Sequence, residues 1–168
     1  MMIEDPIVLL VDDSKNDATL MRSVFARAGF VEPMRYAADG DDAIAYLRGD
    51  GRYRDRKLFP LPTTVLLDLN MPRKDGFEVL DWIRHQPALR RMRVYILSAS
   101  SRAQDIERAY DLGANSYLVK PGNLDGLLKM ATCLVAWLRL SHFAPVTEAS
   151  GSSVPFVVNA VEQTRSVA

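Results

Sequence analysis

The sequence has little of what several classes of protein require. One cysteine among 168 residues, Cys133, excludes an internal disulfide framework and a metal site built from several thiolates. The 21 basic and 21 acidic side chains cancel to a net charge of zero, which argues against broad attraction to nucleic acid. The first residues include Glu4 and Asp5, where a secretion signal needs positive charge and then a long apolar run. We therefore expect a cytoplasmic protein that binds no nucleic acid.

A long hydrophobic run is also missing. The most apolar stretch, residues 127–140, is shorter than the roughly 20 residues that span a bilayer. It also contains Lys129 and Arg139, which are unfavourable inside a membrane. The sequence therefore predicts no membrane association.

Short apolar runs alternate with helical patterns along the chain. The runs IVLLV and VLLDL, at positions 7–11 and 65–69, lack the alternation of half-exposed strands and are typical of strands buried in a parallel sheet. The predicted strands span residues 7–11, 34–37, 65–69, 94–97 and 116–119. The predicted helices span residues 18–28, 41–48, 77–85, 102–112 and 124–140. Right-handed crossovers then give an α/β fold with a doubly wound five-stranded parallel sheet.

Two segments fall outside this alternation. Residues 49–63 are rich in Gly, Pro, Arg and Asp, and we interpret them as a loop. After Phe143 the chain becomes poor in charge and rich in Ser, Gly and Pro. We therefore predict one domain over residues 1–143 and a C-terminal tail over residues 144–168 that holds no effector domain.

Polar side chains follow four of the predicted strands. Asp12 and Asp13 come after the first strand, Asp68 near the end of the third, Ser98 after the fourth and Lys120 after the fifth. Ligands of open α/β sheets bind at this edge, and in the strand order 2-1-3-4-5 the first and third strands are neighbours. Three converging carboxylates need a cation, and oxygen ligands suit Mg²⁺. The lysine and the hydroxyl suit a phosphoryl group.

Each of these residues also has an ordinary structural interpretation. Asp12, Asp13 and Ser14 could cap the first helix. Asp68 could be a structural carboxylate, Ser98 a turn hydroxyl, and Lys120 a solvated surface charge. The functional interpretation is favoured because four independent strand ends carry the residue types that one phosphoryl-transfer site requires.

Four segments carry a family resemblance. They are IVLLVDDS at 7–14, LLDLNMPRKDG at 66–76, YILSAS at 95–100 and GANSYLVKP at 113–121. Through them, residues 6–143 resemble the receiver domain of two-component response regulators, the CheY-like family. The resemblance implies a flavodoxin-like fold and an aspartate that accepts a phosphoryl group from a histidine kinase.

The resemblance also implies a role for each matching residue. Asp68 is the expected phosphoacceptor, and Lys120 is expected to contact the phosphoryl group. The expected Mg²⁺ ligands are Asp12, Asp13, Asp68 and the backbone carbonyl of Asn70. Ser98 and Tyr117 match the residues that switch on activation. The expected structural positions are Pro72, Gly76 and Pro121, the last with a cis peptide bond.

The function implied is a phosphoacceptor switch rather than an enzyme with turnover, with self-catalysed phosphorylation and dephosphorylation only. Its output is expected to be protein contact through helix 4, strand 5 and helix 5. The long loop at 52–62 makes the chain similar to stand-alone regulators that accompany bacterial phytochrome histidine kinases.

Two other functions are known on doubly wound sheets, and the residues after the first strand distinguish them from a phosphoacceptor switch. A phosphatase of the haloacid-dehalogenase type needs a DxDGT-like run after the first strand, where this chain has Asp12-Asp13-Ser14-Lys15. A flavodoxin-like cofactor carrier needs a phosphate-binding loop rich in Gly, Ser and Thr at the same place, and this chain lacks such a loop there.

The last helix predicts a second apolar surface. At about 100° per residue, Lys129, Thr132 and Arg139 lie on one narrow stripe, and apolar side chains cover much of the remainder. Covering a sheet needs an apolar arc of little more than about 100°, so another apolar surface remains. Residues 154–158 of the tail or a second subunit could bury it. We predict a homodimer through this helix, with an interface that includes Met130, Cys133, Leu134 and Trp137.

Overall fold

The computed structural model describes residues 6–31 and 33–141. One parallel sheet has the strand order β2-β1-β3-β4-β5, with a helix after each strand. The strands are β1 (Val8–Val11), β2 (Arg35–Ala37), β3 (Thr64–Leu67), β4 (Arg93–Ser98) and β5 (Ser116–Val119). The helices are α1 (Lys15–Arg27), α2 (Gly40–Arg48), α3 (Gly76–His85), α4 (Ala103–Asp111) and α5 (Leu124–Leu140). The predicted flavodoxin-like fold is therefore confirmed, whereas the predicted tail, residues 144–168, lies outside the described residues.

The sheet separates two hydrophobic cores. Alternate side chains of each strand point to opposite faces, so Leu9 and Val11 pack on one side and Val8 and Leu10 on the other. The first core includes side chains of α2, α3 and α4, and the second includes side chains of α1 and α5. Both faces of β1 are buried, as the uninterrupted apolar run predicts.

The helices begin close to the strand ends because polar side chains cap them. The Ser14 hydroxyl accepts a hydrogen bond from the Asp17 amide at 3.2 Å, so Ser14 is the N-cap of α1. At α3, Asp75 and Glu78 form a reciprocal capping box. The capping interpretation thus holds for Ser14, while the Asp12 and Asp13 side chains stay available to the sheet edge.

The loop between α2 and β3 has more structure than its composition indicates. It contains a turn of 3-10 helix at Gly51–Tyr53, and the rings of Tyr46, Tyr53 and Phe59 pack together there. The guanidinium of Arg56 donates to the carbonyls of Tyr46 and Leu47 at the end of α2, at 2.7 and 2.8 Å. These tertiary contacts hold a segment that sequence patterns describe only as a loop.

Helix α5 presents one buried and one exposed apolar face. Its buried side chains are Leu127, Ala131, Leu134, Val135 and Leu138. Leu134 therefore belongs to the core, and its assignment to a dimer interface is wrong, because it lies within the arc that faces the sheet. Met130 is half-buried and Cys133 is exposed, while Trp137 and Leu140 are 60% and 77% exposed. None of the described helices is long and apolar enough to cross a membrane.

A tight turn joins β3 to α3. The Gly76 amide donates to the Leu69 carbonyl at 3.0 Å, which brings the start of α3 against the backbone that follows β3. A Cβ on Gly76 would lie 2.2 Å from the Asp68 carbonyl oxygen and 2.8 Å from Leu69 Cα. Since both atoms belong to the backbone, no side-chain movement can relieve this contact. Pro72 lies exposed in the same turn.

We expect Gly76→Ala to lower the free energy of unfolding by about 3 kcal/mol, the upper end of the usual cost of overpacking. Gly122→Ala is the control, because a Cβ there meets no atom within 4 Å. Urea unfolding curves of both variants measure the difference. Equal midpoints would contradict the close approach at Gly76.

Candidate functional site

Three carboxylates converge at the carboxyl edge of the sheet. Asp12 and Asp13 directly follow β1, and Asp68 directly follows β3, which pairs with β1. One carboxylate oxygen from each lies within 4.8 Å of the others. Asp12 and Asp68 are buried, whereas Asp13 is exposed. The arrangement is the one that parallel pairing of β1 and β3 predicts.

Lys120 lies opposite these carboxylates, directly after β5. Its Nζ donates to Asp12 Oδ2 at 2.7 Å and to Asp68 Oδ2 at 3.3 Å. Burial alone would lower the pKa of Lys120, but the hydrogen bond to Asp12 and the charge of Asp68 raise it overall. The lysine is therefore a fixed positive charge between two buried carboxylates.

The peptide bond after Lys120 differs from expectation. No peptide bond within residues 6–31 and 33–141 is cis, so the expectation of a cis bond at Lys120-Pro121 is wrong for this structure. The Lys120 amide donates to the Ser98 carbonyl at 2.8 Å and continues the pairing of β5 with β4. The lysine side chain reaches both carboxylates from this position, with a trans bond.

Asp68 is held in a polar but confined environment. Burial raises the pKa of Asp68, and it outweighs Lys120 and the Asn70 amide, which lower it. The Asn70 amide donates to Asp68 Oδ1 at 3.3 Å. The charge of nearby Asp12 also raises the pKa of Asp68, so the contact with Lys120 does not bring that pKa below its ordinary value. Asp68 is thus an anion that gains from further positive charge.

Ser98 and Asn70 meet beside Asp68. Ser98, at the end of β4, is buried, and its hydroxyl accepts from the Ser100 amide at 3.2 Å. Asn70 Nδ2 donates to the same hydroxyl oxygen at 3.4 Å. The loop after β4 is therefore connected to the loop after β3 through one hydroxyl group.

Tyr117 connects β5 to the loop after β4. Its side chain is half-buried against the first core, and its hydroxyl donates to the Ser100 carbonyl at 2.9 Å. Ser100 in turn donates to Asp105 of α4 at 2.5 Å. Ser98, Tyr117 and α4 are therefore linked through residue 100.

Two contacts at this edge were not identified from the sequence. The Tyr36 hydroxyl donates to the Asp12 carbonyl at 2.9 Å, and burial, with the charge of Asp12, raises the pKa of Tyr36. Arg73 has a φ of 66° in the turn after β3, and it pairs with Asp39, the N-cap of α2. The contact of Tyr36 with Asp12 could have been predicted only from the pairing of β1 with β2, and the sequence pattern of β2 is weak.

The donor set fits a hard divalent cation. Carboxylate oxygens are the ligands that Mg²⁺ prefers, and the exposure of Asp13 leaves one side of the cluster open to water. Lys120 pairs with two of the three carboxylates, Asp12 and Asp68, so the cluster carries excess negative charge that a cation would neutralise. That the backbone carbonyl of Asn70 is a fourth ligand stays a prediction.

We expect Asp68→Asn to raise the melting temperature at pH 7 in a chelator by roughly 2–4 °C. In a chain of this size, that shift corresponds to a gain of about 1 kcal/mol in the free energy of unfolding. Because the pKa of folded Asp68 is raised above that of the unfolded chain, its ionised form costs stability. The cost is complete above the raised pKa, and it vanishes as the pH falls to the ordinary value of about 3.9.

The advantage of Asp68→Asn should therefore shrink over that pH interval, which a series of thermal melts can follow. Asp111→Asn, at an exposed position of α4, is the control. A destabilised Asp68→Asn at pH 7 would contradict the assigned direction of the pKa shift.

The comparisons with known proteins agree with this geometry. A family model for the response regulator receiver domain matches residues 8–132. Response regulator Rcp1 of Synechocystis sp. is 40% identical over 134 residues, which cover 79% of this chain and 89% of Rcp1.

Two crystal structures are similar over the same region. The Mn²⁺-bound form of Rcp1 has a TM-score of 0.74 at 36% identity and covers 83% of this chain and 99% of its own. The phosphorylated cyanobacterial phytochrome response regulator RcpA has a TM-score of 0.75 at 35% identity, covering 84% and 99%. The family match, the strand order and the acidic cluster lead to one conclusion: the chain belongs to the receiver domain family of two-component response regulators.

Proposed function

We propose that this protein is a response regulator of the cytoplasm, in which Asp68 of the receiver domain accepts a phosphoryl group from a histidine kinase. The observation that carries the proposal is the convergence of Asp12, Asp13 and Asp68 opposite Lys120, whose Nζ lies 2.7 and 3.3 Å from two of them. Rcp1 with bound Mn²⁺ and phosphorylated RcpA, which are relatives of this chain, support the same chemistry.

The transfer step needs a nucleophile and nearby positive charge. An Asp68 carboxylate oxygen attacks the phosphorus of the phosphohistidine, the phosphorus–nitrogen bond breaks, and the kinase histidine keeps its electron pair. A bound Mg²⁺ would neutralise charge on the transferring group and orient its oxygens. Lys120 supplies a second, fixed positive charge from the opposite side. The product is an acyl phosphate on Asp68.

The acyl phosphate then decays by hydrolysis, which returns Asp68 to its free form. The protein therefore acts as a switch and does not turn over a separate substrate. Water must approach the phosphorus past the residues at the open side of the site. Asn70 is exposed there, and the half-buried Ser100 follows Ser98 by two residues. We propose that these two side chains set the lifetime of the phosphorylated form.

Activation would be a population shift between two arrangements of the loop after β4. A phosphoryl oxygen on Asp68 would accept a hydrogen bond from the Ser98 hydroxyl, whose oxygen accepts from Ser100 and Asn70 in this structure, and would draw Ser98 toward the site. Movement of this loop would displace the Ser100 carbonyl, which accepts a hydrogen bond from Tyr117. It would also displace the Ser100 hydroxyl, which donates to Asp105 on α4. The surface formed by α4, β5 and α5 would change with it and present a new contact to a partner protein.

The kinase that we propose is of the phytochrome type. The supporting observation is the similarity to RcpA, which is described as a phytochrome response regulator. Phosphotransfer from each histidine kinase of the same genome to this protein tests the assignment. Preferential transfer from kinases without a phytochrome sensor would contradict it.

We expect Asp68→Asn to abolish phosphorylation while the fold is retained, because the amide has nearly the same shape but cannot form an acyl phosphate. The wild type and the variant are incubated with Mg²⁺ and acetyl phosphate, and the intact masses are then measured. Asp111→Asn is the control for the substitution itself.

The three outcomes for the wild type separate the candidate functions. One added phosphoryl group that depends on Asp68 supports the switch. Continuous release of phosphate with many turnovers would instead indicate a phosphatase, and no reaction would indicate a cofactor carrier. Full labelling of Asp68→Asn would exclude Asp68 as the acceptor.

We further propose that two copies pair through α5. Cys133, Trp137 and Leu140 are exposed on one side of this helix, and Met130 beside them is half-buried. Exposed large apolar side chains are unfavourable in water, and a two-fold axis would bury the same patch on both copies. Tryptophan and methionine are also enriched in interface cores.

We expect Trp137→Glu to weaken dimerisation at least about tenfold, since it places a charge at the centre of the patch. Thr132→Glu introduces the same charge on the polar side of α5 and should leave the dimer intact. Analytical ultracentrifugation over a concentration series measures both. A wild type that is monomeric at every concentration would contradict the proposed dimer.

A further inference from the structure

The Tyr36 side chain contacts the loop that carries two of the three carboxylates. Tyr36 lies in β2, paired with Leu10 of β1, and its hydroxyl donates to the Asp12 carbonyl at 2.9 Å. The Asp12 amide donates to the Ala37 carbonyl at 3.2 Å, and the Ser14 amide donates to Asp12 Oδ1 at 2.9 Å. Of these three hydrogen bonds, the one from Tyr36 is donated by a side chain of another element to the Asp12 backbone, whereas Lys120 contacts the Asp12 carboxylate.

The Asp12 carbonyl determines where Asp13 begins. It belongs to the planar peptide that joins Asp12 to Asp13, so its direction fixes the plane from which the Asp13 side chain starts. The Asp13 carboxylate is exposed and makes no hydrogen bond or ion pair with a described residue. Because Asp13 has no such contact of its own, its place in the cluster depends on the backbone that Tyr36 holds.

Tyr36 itself has a defined position. Its side chain is half-buried and packs against the core formed by α1 and α5. The guanidinium of Arg22, on α1, lies 5.4 Å from the centre of the Tyr36 ring, on the ring face. The hydroxyl is therefore held at the carbonyl by contacts with both β1 and α1.

We propose that Tyr36 is a positioning residue for the divalent metal, acting through the Asp12-Asp13 peptide. The inference rests on the proposed function, since it concerns the metal site that phosphorylation of Asp68 requires. Residues that hydrogen-bond to the groups carrying metal ligands reduce the freedom of those ligands and increase the affinity for the ion. Tyr36 does so for two ligands at once, because it holds the peptide between them.

A second tyrosine provides a matched control. Tyr46 is buried, and its hydroxyl also donates to a backbone carbonyl, that of Pro60, at 3.0 Å. Pro60 lies in the loop between α2 and β3, which carries none of the carboxylates. Tyr36→Phe and Tyr46→Phe therefore remove the same chemical group and the same kind of hydrogen bond, but only the first does so at the acidic cluster.

The experiment measures Mg²⁺ affinity by calorimetry for the wild type, Tyr36→Phe and Tyr46→Phe, together with thermal unfolding of each in a chelator. We expect Tyr36→Phe to bind Mg²⁺ roughly threefold to tenfold more weakly, and Tyr46→Phe to stay within about twofold of the wild type. The melts show whether either variant has lost its fold. They also distinguish the two roles, because a purely structural role of Tyr36 would lower the melting temperature in the chelator and leave the Mg²⁺ affinity unchanged.

The outcomes separate this inference from the proposed function. If the wild type binds Mg²⁺ and Tyr36→Phe binds it equally well, Tyr36 is not a positioning residue and the proposed function stands. An equal loss of affinity in both tyrosine variants would also overturn the inference, because the effect would then follow the general loss of a buried hydroxyl. A wild type that binds no Mg²⁺ would overturn the proposed function and this inference with it.

Discussion

The ion pairs of Lys120 determine what the rest of the site can be. Two buried carboxylates from neighbouring strands would repel each other and lose solvation, and the shared lysine offsets part of that cost. The lysine directly follows β5, the far edge strand, so the site forms only when β1, β3, β4 and β5 lie in register. The sheet is thus the scaffold that brings residues 108 positions apart into contact.

One lysine leaves the cluster short of positive charge. The pKa of Asp68 stays raised by burial, in spite of the hydrogen bonds that it accepts from Lys120 and Asn70. An ion or group that adds positive charge at Asp13 therefore relieves a cost already present in the folded protein. The proposed metal binding and the proposed nucleophilic role of Asp68 would be coupled for this reason, because both depend on the same unbalanced carboxylates.

Sequence patterns could predict the sheet because its central strands, β1, β3 and β4, are buried on both faces. Few topologies agree with the uninterrupted apolar runs at β1 and β3 and the helical spacing between the strands. In the predicted topology, the polar residues at the strand ends all lie at one edge of the sheet. The positions of Asp12, Asp13, Asp68, Ser98 and Lys120 were predictable for that reason. Their approach to one another depends on backbone register rather than on details of side-chain packing.

Other features depend on tertiary contacts that no local pattern contains. The loop after α2 owes its structure to packing of Tyr53 and Phe59 against Tyr46. The periodicity of α5 showed that its apolar positions cover more than the arc needed to face the sheet. It did not show where that arc is centred, and Leu134 was therefore assigned to the interface instead of the core. Tyr36 lies in a three-residue strand, and its contact with Asp12 follows from the β1-β2 register alone.

The position of the chain's only cysteine has a practical consequence. Cys133 is exposed on α5, within one helical turn of Trp137 and on the opposite side of the helix from its buried face. A thiol-reactive fluorophore or spin label would therefore attach at a single site without any engineered substitution. Such a probe would lie beside the exposed apolar patch, where its spectrum would report changes in local environment, and distances between labels on two copies would give their relative orientation.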